Sequence, residues 1–402
     1  MTRTMAPVDE QLAVLMSGVD YGDPLLRQQM ERELRERLEE DRPLRVYLGV
    51  DPTASSLTLG HCVPLRKLRQ FQQFGHHCIF LIGDYTALVG DPSDKNKLRP
   101  MLTPEQIAAN ESSYFEQAAR ILDSGKTEVR HNSEWLGKLM LPDVIRLMSK
   151  FTAAEMLRRE NFRLRWEAGD AIYLHEFLYA LMQGYDAYAL ECDVQVGGTD
   201  QLFNLMAGRK IQEDAGQRPH VPVTVPILVG LDGKERMSKS KGNHIGVDDP
   251  PEVQFGKVMS IPDEVMGQYF RLGTNLHPAE VEAILGRMRD GEASPMETKK
   301  LLARTIVAEF WGEEAAERAQ EHFERTVQRK ELPDDMPEYR VHEGELLLDV
   351  VVGAGAAPSK REARRLFEQR AVTVDGLVME PTTPARPGAV VQVGKRRWIR
   401  LV

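Results

Sequence analysis

Between Val46 and Gly83 the chain alternates in a way that admits few folds. Val46-Tyr47-Leu48-Gly49-Val50 is a short apolar run, the pattern of a strand buried on both faces. It passes into the turn-rich stretch Asp51-Pro52-Thr53-Ala54-Ser55-Ser56, and a helical pattern follows from about Gly60 to Phe74. A second apolar run comes next, Cys78-Ile79-Phe80-Leu81-Ile82-Gly83. Strand, helix and strand in so short a span make a βαβ unit, which demands a parallel sheet. Two later pieces extend it: Cys192–Val196, ending in Gly197-Gly198-Thr199-Asp200, and Val221–Val229, ending in Gly230. Residues 103–191 read as mostly helical, with apolar Val144, Leu147, Met148 and Phe151 at helical spacing, and Pro251 to Arg329 reads as helical again. The highly charged stretch from Glu10 to Leu44 reads as one or two surface helices.

Composition narrows the class. Hydrophobic residues form 42% of the 402, enough for a core, and charges are balanced, which excludes collagenous and disordered chains. No apolar run reaches the ~18 residues of a membrane span. Leu12–Val19 follows acids rather than a basic region, a poor signal peptide. Cys62, Cys78 and Cys192 have no CxxC spacing, so neither a disulfide framework nor a cysteine zinc site is expected, and a cytoplasmic location is. Leu332-Pro333-Asp334-Asp335-Met336-Pro337-Glu338 has the composition of a linker. From 346 onward ten Lys or Arg stand against five acids, so a tail of +5 follows a body of −14 within the overall −9. The expected division is a catalytic domain over 1–245 with a helical insertion at about 103–190, a helical domain over 246–331, a linker over 332–344 and a small α+β domain over 345–402.

Two segments suit phosphate, although neither a GxxxxGK[ST] nor a GxGxxG motif is present. In Asp51–His61 a strand runs into a helix near Gly60, so free N–H groups with Thr53, Thr58 and His61 would face an anion over the strand end. An ordinary βα turn capped by Ser and Thr fits the same letters. Arg236-Met237-Ser238-Lys239-Ser240-Lys241-Gly242 sets three cations among small hydroxyl residues, either a loop that closes over a polyphosphate or a solvated basic surface loop. Farther on, Tyr179, Gln183 and Asp186 share one helix face at i, i+4 and i+7, flanked by Leu178, Leu181 and Met182. A buried carboxylate there needs a partner, supplied by a ligand or by a helix–helix hydrogen-bond network.

Taken together, Thr58-Leu-Gly-His61 and Arg236-Met-Ser-Lys-Ser240 resemble the HIGH and KMSKS signatures of class I aminoacyl-tRNA synthetases. Tyr47-Leu-Gly-Val-Asp-Pro-Thr53, the stripe Tyr179–Asp186 and Gln195-Val-Gly-Gly-Thr-Asp-Gln201 resemble the bacterial-type tyrosyl-tRNA synthetases, over essentially the whole chain. The resemblance implies a Rossmann-like α/β catalytic domain with a helical insertion, a helical linking domain and an RNA-binding tail. It implies ATP with Mg²⁺ as co-substrate, L-tyrosine and tRNA-Tyr as substrates, a homodimer with 103–165 at its interface, no membrane and no dedicated protein metal site.

It also implies roles. Asp186 and Tyr47 would take the phenolic hydroxyl of tyrosine, and Tyr179, Gln183 and Asp91 its ammonium, with Gln195 and Asn132 assisting. Thr53, Thr58, His61, Arg236 and Lys239 would stabilise the phosphates. Asp51, Gly60, Gly198, Asp200, Gln201, Met237, Ser238 and Ser240 would complete the ATP site. Thr58 departs from the usual first histidine of HIGH, and Arg236 from the leading lysine of KMSKS. In the tail, Ala357–Gly376 resembles a small RNA-binding module of ribosomal-protein type. Ser359 and Glu362 form a capping box there, and Lys360, Arg361, Arg364, Arg365, Lys395, Arg396 and Arg397 would meet RNA. Arg370-Ala371 replaces that module's usual glycine-containing turn. Two other readings use the same residues: a sister enzyme for tryptophan or another amino acid, and an RNA-binding or regulatory protein that kept the fold without catalysis.

Overall fold

The computed structural model describes residues 5–53, 56–93, 103–328, 336–342, 344–394 and 397–402. They form two compact units, Met1–Glu313 and Glu314–Val402. The first is built on five parallel strands, β1 (Arg45–Val50), β2 (His77–Ile82), β3 (Thr127–His131), β4 (Val194–Gly198) and β5 (Val221–Val225), in the order β3-β2-β1-β4-β5. Val46 of β1 stands opposite Cys78 of β2 on one side and Val194 of β4 on the other. The central strands are apolar because both faces are covered: Val46, Tyr47, Ile79, Phe80 and Val194 are fully buried.

α1 (Val8–Leu15) and α2 (Pro24–Leu38) precede the sheet, and α3 (Leu59–Phe74) joins β1 to β2. Gly75, at φ +93, ends α3 in the left-handed conformation that favours glycine. α4 (Pro104–Ala118) leads into β3, and between β3 and β4 run α5 (Ser133–Leu136), α6 (Leu141–Met148), α7 (Ala153–Leu157), α8 (Glu160–Ala168) and α9 (Leu174–Ala189). α10 (Leu202–Asp214) connects β4 to β5. A helical layer follows, α11 (Pro251–Met259), α12 (Met266–Gly273), α13 (Pro278–Arg289) and α14 (Pro295–Trp311). It is tied to α3 by a buried ion pair, Arg66 to Glu309 at 2.7 Å.

Two strands differ from the expectation. β3 lies inside the stretch read as mostly helical; it is an edge strand with every residue partly exposed, so Thr127-Glu-Val-Arg-His carries no apolar run. β5 stops at Val225, because Pro226 has no N–H to give the ladder.

α15 (Glu313–Phe323) opens the second unit. This unit holds β6 (Glu338–Tyr339), α16 (Leu347–Gly353), α17 (Lys360–Glu368), β7 (Val372–Val374), β8 (Leu377–Val378), β9 (Val390–Val393) and β10 (Arg397–Leu401), its sheet ordered β6-β10-β9-β7-β8. Its own core gathers Leu347, Val350, Val351, Phe367, Val372, Val391, Ile399 and Leu401. Only half of the expected capping box forms. Ser359 Oγ accepts from the Glu362 N–H at 3.3 Å, but the Glu362 carboxylate turns to Arg365 instead. Arg370 takes φ +55, the left-handed turn that a glycine would occupy more cheaply.

Candidate active site

In this strand order the chain leaves β1 toward β2 on one side and returns to β4 on the other. The crevice at the carboxyl ends of β1 and β4 is therefore the switch point where open α/β sheets take ligands. A cavity of about 700 Å³ opens there, and all twenty residues expected to hold tyrosine or ATP line it. That volume suits a small organic ligand.

The deep end is set by β1 and α9. Tyr47 is fully buried and its hydroxyl has no hydrogen-bond partner among the described residues. Asp186, also buried, accepts from the Trp135 indole Nε1 at 2.8 Å and from Asn132 Nδ2 at 3.2 Å. Burial drives the Asp186 carboxyl well above its ordinary range; the charges of Asp51 and Asp84 add to this, while the two donated bonds oppose it. Burial likewise raises the Tyr47 phenol. Such a pair is costly without a ligand that gives one hydrogen bond and takes another. Trp135 was not found in the sequence, since α5 is four residues long and reads as loop.

The next contacts toward the opening come from three turns. Tyr179 Oη donates to Asp51 Oδ2 at 2.9 Å, and Thr86 Oγ1 donates to Asp51 Oδ1 at 2.8 Å. Asp51, read from the sequence as a nucleotide residue, thus has its carboxylate against Tyr179. Gly83 makes room for it: a Cβ there would lie 2.2 Å from Asp51 Oδ1 and 2.5 Å from Thr86 Oγ1. Gln201 Nε2 donates to Asp91 Oδ2 at 2.8 Å, and Asn204 Nδ2 reaches Gln183 Oε1 at 3.0 Å. Gln195 is buried, and its side-chain carbonyl oxygen has no partner among the described residues. A side chain on Gly198 would sit 2.4 Å from Asp200 Oδ1, so that glycine lets the carboxylate fold over the strand end.

The outer end joins α3 to the basic loop. Thr58 pairs with Gly246 in an isolated bridge, which seats the start of α3. The Thr58 backbone N–H donates to His61 Nδ1 at 3.1 Å, with Thr58 Oγ1 2.8 Å from the same nitrogen. Because Nδ1 accepts, the neutral ring carries its proton on Nε2. Thr58 therefore orients the histidine. Across the cavity, Arg236–Ser240 is rooted by Asn243, whose Oδ1 accepts from Ser238 N at 2.8 Å and whose Nδ2 reaches Asp232 Oδ2 at 2.8 Å. Lys239 Nζ donates to the Ser56 carbonyl and hydroxyl, so the loop touches the β1–α3 turn. Desolvation lowers the Lys239 ammonium somewhat. Among the described residues no group of three or more His, Cys, Asp or Glu side chains could hold a metal ion. Nor is any described helix long and apolar enough to cross a membrane.

In the second unit Lys360, Arg361, Arg364 and Arg365 are all exposed on α17, with Lys360 also paired to Asp349 at 2.6 Å. Arg397 is exposed but donates to the Ala356 carbonyl. Lys395 and Arg396 lie outside the described residues.

Residues 39–328 match the family model of class I tRNA synthetases for tryptophan and tyrosine. The tyrosine–tRNA ligase of Symbiobacterium thermophilum is 48% identical over 409 residues, covering all of both chains. That of Thermotoga maritima is 48% identical over 374 residues, 92% of this chain and 93% of its own. Among solved structures, the tyrosyl-tRNA synthetase of Archaeoglobus fulgidus complexed with L-tyrosine covers 78% of this chain and 100% of its own, with a TM-score of 0.60 at 24% identity, a likeness of fold. With this match across the sheet, its switch-point cavity and the helical layer, the chain belongs to the class I tRNA synthetases, within them to the bacterial tyrosyl family.

Proposed function

We infer that the protein is a tyrosine–tRNA ligase, which activates L-tyrosine with ATP and passes the tyrosyl group to the 3′ end of tRNA-Tyr. The observation that carries this reading is the deep end of the cavity, where the unpartnered Tyr47 hydroxyl and the buried Asp186 carboxyl wait for a phenol. Tyrosine satisfies both. Phenylalanine would leave the Tyr47 hydroxyl unpaired and give Asp186 nothing beyond its bonds from Trp135 and Asn132, at about 1–3 kcal/mol for each missing hydrogen bond. Asn132 holds Asp186 in place; Asp91, Tyr179, Gln183 and Asp51, with Gln195 beside them, would take the α-ammonium.

In the first step a tyrosine carboxylate oxygen bonds to the α-phosphorus of ATP as the bond to pyrophosphate breaks. The carboxylate is already a nucleophile, so no general base is required; positioning and charge neutralisation supply the rate. His61 Nε2–H and Thr53 would donate to the phosphates from the α3 side, Arg236 and Lys239 from the loop, the latter on leaving Ser56. Gly60, Gly198, Asp200, Gln201, Met237, Ser238 and Ser240 would seat the nucleoside. Mg²⁺ would enter on the polyphosphate as part of the substrate. In the second step a terminal ribose hydroxyl of the tRNA attacks the tyrosyl carbonyl, and AMP leaves.

The same reading assigns 1–245 to catalysis, with the insertion at about 103–190. It assigns 246–331 to a helical domain, 332–344 to a linker and 345–402 to RNA, with α17 and Arg397 on the tRNA. It makes the protein a cytoplasmic homodimer. Leu141, Ile145 and Met148, at 70%, 58% and 45% exposure, share one face of α6 within the expected interface, a surface that a second copy would cover. The test is amino-acid-dependent exchange of pyrophosphate into ATP. Exchange with tyrosine is expected; exchange with tryptophan alone would move the chain to the sister activity, and no exchange would overturn the enzyme reading.

A further inference from the structure

The turn that carries Asp91 is held from outside the cavity. Gly90, at φ +80, starts it, and the Ser93 N–H closes it on Asp91 Oδ1 at 2.8 Å. Ser93 Oγ then accepts two bonds, from Arg159 Nη2 at 2.8 Å and from Asn204 Nδ2 at 3.1 Å. The neighbouring Pro92 carbonyl accepts from Asn161 Nδ2 at 2.7 Å. Arg159 and Asn161 flank the start of α8 in the helical insertion, and neither lines the cavity.

Arg159 is an expensive residue to keep there. It is 7% exposed, and its guanidinium carbon lies 4.6 Å from the Phe203 ring centroid and 5.3 Å from that of Phe162. Among the described residues no carboxylate comes within ion-pair distance of it, and Nη1 is buried without an acceptor. Its main opposing charge, Asp91, acts from beyond ion-pair distance, so the desolvated cation is costly to hold, and packing alone would not justify it where a leucine or methionine could fill the space.

We propose that Arg159 is a positioning residue for the ammonium subsite, its hold on Ser93 fixing the direction in which Asp91 meets the α-ammonium of the substrate. This rests on the assignment of Asp91 to that ammonium above. The proposal has a sign that sets it apart from simple electrostatics. Arg159 carries the same charge as the ammonium, so as a mere nearby charge its removal would tighten substrate binding. As a clamp, its removal loosens Asp91 and weakens binding.

The experiment uses the full-length protein and equilibrium binding of three probes: tyrosine, tyramine, which keeps the ammonium without the carboxylate, and 3-(4-hydroxyphenyl)propionate, which keeps the carboxylate without the ammonium. For Arg159→Met, tyrosine and tyramine should each bind about tenfold more weakly, with the propionate unchanged. Ser93→Ala, a smaller change that removes the shared acceptor, should give the same pattern even if the Arg159 variant fails to fold. In Ser93→Ala the further replacement of Arg159 should add little. Unchanged or tighter tyramine binding would overturn the clamp, and so would equal weakening of all three probes. Asp91→Asn serves as the separate control: if it leaves tyramine binding intact, the ammonium assignment itself is wrong.

Discussion

Asp186 and Tyr47 show how much of the site a sequence can carry at the scale of single residues. The stripe Tyr179, Gln183, Asp186 was legible because helical periodicity puts all three on one face, and apolar neighbours make that face a poor surface. The partners that fix the stripe were not legible. Trp135 reaches Asp186 from α5, while Thr86 and Gly83 set the place of Asp51, the partner of Tyr179, and no local pattern announces contacts between segments so far apart in the chain. Gly83 gives the sharpest single-residue prediction. An alanine Cβ would fall 2.2 Å from Asp51 Oδ1, so Gly83→Ala must push that carboxylate off Tyr179. Rates of tyrosyl-adenylate formation measured by rapid quench should fall by about a hundredfold, with little change in melting temperature. A rate within a factor of three of the parent would remove Asp51 from the site.

The elements were legible in proportion to their burial. β1 and β2 read almost to the residue, because a strand covered on both faces must be apolar throughout. β3 did not, since an edge strand keeps one side polar, and β5 was overextended because Pro226, Ile227 and Leu228 line the cavity instead of joining the ladder. The basic loop was visible as composition, but its anchor was not: Asn243 lies beyond the motif and roots it through Ser238 N, Asp232 and the Arg236 carbonyl. Gly230 belongs to the same anchor, since a side chain there would collide with Asn243. Asn243→Ala should therefore slow adenylate formation by about tenfold to a hundredfold, while the tyrosine Kd measured by fluorescence titration stays unchanged. A weakened tyrosine Kd at an unchanged rate would place the loop's function elsewhere.

For the whole molecule, the overall −9 conceals a division that the structure gives a shape. Residues from 346 onward, with a net +5, lie in a unit with its own core and a basic, exposed helix α17. Net acidity alone argues against RNA; divided along the chain, it leaves a basic tail that the proposed function assigns to tRNA. A chain ending at residue 331 should keep tyrosine-dependent pyrophosphate exchange within about twofold of the full chain. Its charging of tRNA-Tyr should drop by about a hundredfold or more at physiological salt, as followed with labelled tyrosine. Equal loss of both activities would deny the separation of tasks.

The proposed function requires that the cavity recognise tyrosine by its phenol. The most direct measurement compares kcat/KM for tyrosine and phenylalanine in pyrophosphate exchange, in the parent protein and in Asp186→Asn. The parent should favour tyrosine by several orders of magnitude, and the variant should lose most of that ratio through the tyrosine value. A ratio that survives in Asp186→Asn would contradict the assignment of the deep end of the cavity to the phenol of tyrosine.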